Sequence, residues 1–181
     1  MKRELNLSSR IIYNMTGKMI TFIKELFKII WMLFSSNPRE FDSLELVKMK
    51  YFPFSGSKYM SWCGHLIHKM DDIEEYMKRD VWKTDYNHEL IHLFQAKDFR
   101  FWITYYASYL WQWFKYNPFS RSSYYLDIYE IEAYAKDKDL EYTKSYPNNM
   151  SLYDIKGRKK IWKDLGGTSR AWKEYIRNLY K

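Results

Sequence analysis

Between Lys18 and Phe34, the apolar residues Met19, Ile20, Ile23, Leu26, Phe27, Ile30, Met32 and Leu33 mostly keep the spacing of a helix face, with Lys24, Glu25 and Lys28 on the other side. This predicts an amphipathic helix ending at the Asn37-Pro38 break. Three central charges, and a length below the ~20 apolar residues of a bilayer span, speak against a transmembrane segment. Such a helix either covers the core or lies on a membrane surface. Further on, Val47, Met49 and Tyr51 alternate with Lys48 and Lys50 within Leu44 to Phe54, and Met60, Trp62 and Leu66 share a face within Tyr59 to His68. Joined by the turn-rich Pro53-Phe54-Ser55-Gly56-Ser57, they predict an antiparallel hairpin. Asp71 to Asp80 fits either a loop or a short helix. Asp85 to Lys115 contains no Gly or Pro and repeats its apolar residues at helical intervals, which predicts one long helix closed by Asn117-Pro118. Its uncharged stretch, Phe101 to Phe114, is too short to span a bilayer and reads as a buried central helix. Another helix is expected from Tyr125 or Leu126 to Tyr142, and weaker helical patterns mark Arg158 to Lys163 and Ala171 to Tyr180, separated by Gly166-Gly167.

A chain of 181 residues holds one domain with a proper core. It divides into an amphipathic N-terminal extension (1–43), a core (44–146) and a basic C-terminal segment (147–181). Apolar residues make up 46% and aromatics 20%, which excludes a disordered chain. Cys63 is the only cysteine, so no intramolecular disulfide forms, and its default is a small buried thiol. Lys2, Arg3 and Glu4 followed by polar residues do not make a signal peptide, so a cytoplasmic location is expected, with or without membrane association. The net charge of +8 is concentrated at the end, where Lys156 to Lys181 carries nine Lys or Arg against Asp164 and Glu174. Such a tail is a solvated helix face or a site for an acidic partner. No nucleic-acid motif accompanies it, so nucleic acid is not an expected partner. Peripheral membrane contact through Lys18 to Phe34 remains one reading of the first helix. The oligomeric state is not legible.

The chemistry-bearing run is Asn87-His88-Glu89-Leu90-Ile91-His92. Residues four apart stand on one helix face, so His88 and His92 can meet one metal ion. Glu89, one position round, reaches the neighbouring water without displacing them. Zn²⁺ lowers the pKa of such a water to about 7, and a carboxylate can then take its proton as general base. Short motifs also arise by chance, and a catalytic zinc needs a third protein ligand. The metzincin pattern of a His six residues on, after a Gly, is excluded by Asp98 and Gln95. Glu130-Ile131-Glu132-Ala133, beginning 38 residues past His92, offers carboxylates on the next predicted helix. Glu130 and Glu132 point about 200° apart on a helix, so only one can face the metal.

The E-x-x-A spacing is similar to the glutamate-ligand motif of the gluzincins. NHELIHLFQAKD, the aromatic helix after it, YNPFSRSSYY and YEIEAYAKDKDLEY together resemble a group of small uncharacterised bacterial gluzincin-like proteins, whose pattern runs NHExIHxxQ, a long aromatic helix, a basic-aromatic loop and FEREAYxxExxxxYL. KYFPFSG is similar to that group's N-terminal strand segment. The likeness covers about Lys50 to Tyr142, half the chain. More distantly, the layout resembles CAAX-processing membrane proteases and beta-lactam sensor protease domains. The resemblance implies a zinc metallopeptidase acting on a peptide or protein substrate. It implies an α+β, zincin-like fold, with a small antiparallel sheet on a long HExxH helix, a following glutamate helix and peripheral helices. It also implies Glu130 as third Zn²⁺ ligand, with Glu132 as fallback. Tyr134 stands where better-known gluzincins carry an Asp that buttresses a ligating His.

Tyr124, Tyr125 and Tyr134 are candidates to steady an oxyanion, although packing is the commoner role of a Tyr, and Arg121 is a candidate for a substrate carboxylate. Gln95, one turn past His92, either supports the site or faces solvent. Asp85 is the better helix N-cap, with Asn87 capping or orienting the loop. His65 and His68, three apart on a strand, point to opposite faces and do not share a metal. The alternative to an enzyme is a non-catalytic metal-binding or membrane-surface module on the same fold, which a fourth protein ligand would favour. Capping of the zinc by Cys63 in a latent enzyme is the rarer alternative to its default as a buried thiol.

Overall fold

The computed structural model describes residues 7–53 and 57–181, the side chains of 7–14 and of Arg121 aside. Among these, the chain forms eight α-helices and one three-stranded sheet, a mixed α+β fold. The first helix, α1 (Leu7–Ser35), extends the predicted amphipathic segment towards the N-terminus. Leu26, Ile29, Met32 and Leu33 form its inward face and join the main core. Glu25 accepts hydrogen bonds from the backbone of Lys50 (2.7 Å) and Tyr51 (2.8 Å), tying α1 to the segment that follows β1 (Glu45–Lys48).

The expected two-stranded hairpin is a three-stranded sheet instead. The segment Tyr59 to His68 is itself a hairpin, β2 (Tyr59–Trp62) and β3 (His65–His68), antiparallel in the register Tyr59 to His68 through Trp62 to His65. Its turn is Cys63-Gly64, with φ of 49° and 80°, the left-handed pair that a two-residue hairpin loop requires. Gly64 answers a second demand, since a Cβ there would lie 2.4 Å from the Phe41 ring. β1 pairs with β3 in parallel, which corrects the expectation of a purely antiparallel sheet, and the order is β1-β3-β2. The reason is burial: Leu66, Ile67 and His68 are all buried, so β3 takes the centre, while the more polar β1 and the half-buried β2 take the edges.

After the short α2 (Ile73–Met77), the long predicted helix is broken into α3 (Asp80–Lys97) and α4 (Trp102–Phe114). No Gly or Pro marks the break. An unbroken helix over Asp85 to Lys115 would run about 45 Å; the turn at residues 98–101 brings Trp102 and Tyr105 back into the core beside Leu93 and Ala96. The next predicted helix is likewise divided into α5 (Arg121–Tyr125) and α6 (Ile128–Lys136), with Asp127 as the α6 N-cap accepting from Tyr129 N at 3.0 Å. α7 (Arg158–Asp164) and α8 (Ser169–Leu179) bury Trp162, Trp172 and Ile176 against Tyr125, Leu126, Ile131 and Tyr134. The α6 helix therefore has α3 on one side and α8 on the other. Among the described residues, no helix is long and apolar enough to cross a membrane.

Candidate metal centre

The helix α3 buries a polar stripe, since Asn87, His88, His92 and Gln95 are all buried. Such groups are rarely interior without partners, so each must be accounted for. The helix begins at Asp80, earlier than expected, which places Asp85 and Asn87 inside it rather than at its cap. Asn87 instead caps the far end of the neighbouring helix, its amide donating to the carbonyls of Lys136 (3.2 Å), Asp137 (3.0 Å) and Asp139 (3.0 Å). That clamp sets how far α6 lies from the histidines.

On α6 the two glutamates diverge as helix geometry requires. Glu130 points at the histidines, its Oε1 3.3 Å from His92 Nε2 and its Oε2 3.4 Å from His88 Nε2. Glu132 points away and receives Gln95 Nε2 (2.9 Å) and the hydroxyls of Tyr142 (2.7 Å) and Tyr146 (3.3 Å). Gln95 is the link between them. Its Nε2 also donates to the carbonyl of Tyr129 (2.9 Å), an oxygen that can only accept, so the amide has one orientation. Its Oε1 therefore faces His92 Nδ1 at 2.8 Å and accepts from it. With a proton held on Nδ1, Nε2 is the nitrogen that faces Glu130, and in the neutral ring it is the one left free to bind a cation.

His88, His92 and Glu130 form the one group among the described residues whose His, Cys, Asp or Glu ligand atoms gather within 4.8 Å of one another. The N-to-O spacings are long for hydrogen bonds, whose N···O distance is about 2.7–3.2 Å, and Glu130 Oε2 is buried without a hydrogen-bond partner. A tetrahedral ion with bonds of about 2.0–2.1 Å holds its ligand atoms about 3.3 Å apart. Donor type, burial and spacing therefore fit a divalent cation. The same field attracts a proton: burial disfavours the charged form of His92, yet the Glu130 charge outweighs it and lifts the pKa to about 9. Burial would raise the Glu130 carboxyl, but His92 and His88 together hold it well below the usual range.

Glu89 lies beside the group and outside it. Its Oε2 accepts from Ser61 N of β2 (2.7 Å), and burial raises its pKa despite the nearby histidines. A carboxylate tuned upwards in this way suits proton transfer near neutrality. Tyr109, on α4, donates to Glu130 Oε1 at 2.7 Å. The Tyr134 ring packs on His88 with centroids 4.5 Å apart, and its hydroxyl lies 3.3 Å from that of Tyr124.

Space opens on both sides of the group. On the His92 side is a cavity of about 310 Å³ walled by Met60, Trp62, Trp102, Tyr106 and Leu110. On the His88 side is a shallower, polar one of about 700 Å³ bordered by Lys58, Lys138 and Lys173. Glu89, Tyr59 and Tyr124 line both.

The structure thus brings His88, Glu89, His92 and Glu130 together and turns Glu132 into the brace of Gln95. Cys63 is buried in the main core, its thiol pushed up to about 12 by burial, and is not part of the group. His65 and His68 lie on β3, and neither belongs to it. Tyr125 packs against Trp162, and the side chain of Arg121 lies outside the described residues. Tyr109 was not singled out by the sequence; within an aromatic helix, only its spacing of four from Tyr105 marks it. Comparison with family models, with curated proteins and with solved structures finds no match to this chain.

Proposed function

We propose that this chain is a zinc-dependent peptidase of gluzincin type on a zincin-like scaffold, with His88, His92 and Glu130 as ligands and Glu89 as general base. The observation that carries this reading is the pair of N-to-O spacings of 3.4 and 3.3 Å around a buried, partnerless carboxylate oxygen. Two nitrogens and one oxygen are the donor set of a catalytic rather than a structural zinc, and no fourth His, Cys, Asp or Glu joins them among the described residues. Bound there, zinc would supply Lewis acidity and lower the pKa of water to about 7.

The chain's own groups supply the rest. Glu89 takes the proton of the attacking water and returns it to the leaving amine. Gln95 keeps His92 in one tautomer through its bond at 2.8 Å. Tyr124, which lines both cavities, stands where a hydroxyl can donate to a developing oxyanion. β2 is an edge strand whose Ser61 N–H already meets Glu89, so an extended peptide lying along that edge crosses the site. The aromatic cavity accepts an apolar side chain, and the lysines opposite favour an acidic residue or a terminal carboxylate.

The deciding measurement is the metal content of wild type, His88→Ala, Glu130→Ala and Glu89→Gln, followed by turnover on a peptide library. About one zinc per chain is expected in wild type and Glu89→Gln, with loss in the other two, and Glu89→Gln is expected to lose turnover about 10²–10⁴-fold. A Glu89→Gln protein hydrolysing peptides at the native rate would refute the mechanism. Failure to take up zinc would refute the site.

A further inference from the structure

The helix α1 is apolar on two faces. Leu26, Ile29, Met32 and Leu33 point into the core, as one stripe of an amphipathic helix should. Ile20, Ile23, Phe27, Ile30, Trp31 and Phe34 occupy a second arc of about 100°, next to the first, that no part of the described structure covers. It runs about 21 Å along the helix axis. The same holds for α4, whose outer side presents Ile103, Leu110, Trp111 and Phe114. Phe27, Trp31, Phe34 and Trp111 are 68, 69, 68 and 67% exposed, unusual for four large side chains on neighbouring elements. The two faces meet, because Phe34 of α1 and Ile103 of α4 line one surface cavity.

The border of this surface is cationic. Lys24 and Lys28 follow the apolar arc round α1, Arg100 stacks on the Phe101 ring at 5.2 Å, and Lys115 follows Phe114. Of the acid groups nearby, Glu25 is turned inwards to the backbone of Lys50 and Tyr51, and Glu40, which accepts from Asn37 at 2.6 Å, is the one carboxylate at the cavity where the faces meet. α4 itself carries no charge. An apolar, Trp- and Phe-bearing face bordered by lysines and arginine on a chain of net charge +8 matches the interfacial layer of an anionic bilayer. A second copy of the chain would bring borders of like sign together.

We propose that the joined outer faces of α1 and α4 seat the protein on an anionic membrane surface, with Phe27, Trp31, Phe34 and Trp111 entering the headgroup and acyl boundary. Leu110 belongs both to this face and to the lining of the aromatic cavity beside Glu89, so the seated bilayer lies against one mouth of the cleft. The seating does not depend on the site holding metal.

The test is flotation of the purified chain with phosphatidylcholine vesicles and with phosphatidylcholine vesicles containing phosphatidylserine, at low and raised salt. Wild type is expected to float with the anionic vesicles, less so as salt rises. The Trp31→Ser/Trp111→Ser pair, with unchanged far-ultraviolet circular dichroism, should bind at least about tenfold more weakly. If that pair fails to fold, Lys24→Glu/Lys28→Glu provides the second arm and should weaken binding to anionic vesicles alone. A wild-type chain that stays with neither vesicle overturns the proposal. So does concentration-dependent self-association lost in the Trp pair, which would assign the face to a second copy.

Discussion

At the scale of single residues, Gln95 ties His92 to Glu132 and so joins α3 to the helix that carries Glu130. It is fixed by the carbonyl of Tyr129, so its Oε1 faces His92 and holds a proton on Nδ1. In the sequence, a Gln one turn past the motif reads equally well as support or as surface, because its partners, Tyr129 and Glu132, come from a distant segment. The HExxH residues were legible since their chemistry depends on local spacing; Tyr109 was not, since nothing local separates it from its aromatic neighbours. Asp127 offers a test at this scale. Burial pushes its pKa up to about 8, against about 3.9 for an unfolded Asp, and its Oδ2 has no hydrogen-bond partner. Between those values the folded state holds the extra proton, so this residue's contribution to stability falls as pH rises from about 4 to about 8. Asp127→Asn keeps an acceptor for Tyr129 N and should flatten that slope, measured as the difference between melting temperatures at pH 5 and pH 8.

Among elements, periodicity revealed helices better than their ends. The break between α3 and α4 has no Gly or Pro to announce it and is imposed by the return of Trp102 and Tyr105 to the core. The sheet was legible only as strand-like sequence. Its parallel β1–β3 pairing is a long-range choice, and the Cys63-Gly64 turn lies inside what reads as one alternating strand. Between α3 and α6, the Asn87 amide spans three carbonyls, so it acts as a spacer for the ligands as well as a cap. Asn87→Ala leaves those oxygens without their donor and should destabilise the fold by about 1–3 kcal/mol. It should also weaken zinc binding, although no ligand is touched; denaturant midpoints with and without zinc check both parts.

For the whole molecule, a metal at the proposed site would be thermodynamically linked to the fold. A cation held by groups from α3 and α6 would bind the folded state and not the dispersed chain, so under the proposed function free zinc at about 1,000 times its dissociation constant should add about 4 kcal/mol to stability. The expected outcome is a melting temperature that rises with zinc in wild type and not in Glu130→Ala, read by calorimetry across a zinc series. In the basic C-terminal segment, whose sequence reads as a solvated helix face or a site for an acidic partner, most charges are outward, the buried Arg158 excepted. Its aromatic residues are not: Trp172 is fully buried and donates to the carbonyl of Tyr125 at 2.7 Å, while Arg177 pairs with Asp137 at 2.6 Å just past the end of α6.

That packing has a consequence for the order in which the chain is made. Synthesis runs from the N-terminus, so both histidines emerge ahead of Glu130, which follows some forty residues later. Yet the helix carrying Glu130 lacks the support of its α8 side until Trp162, Trp172 and Ile176 have also left the ribosome. A nascent chain thus exposes the two histidines well before it can hold Glu130 against them, and the three-residue group comes together only once the aromatic residues of α7 and α8 have emerged as well.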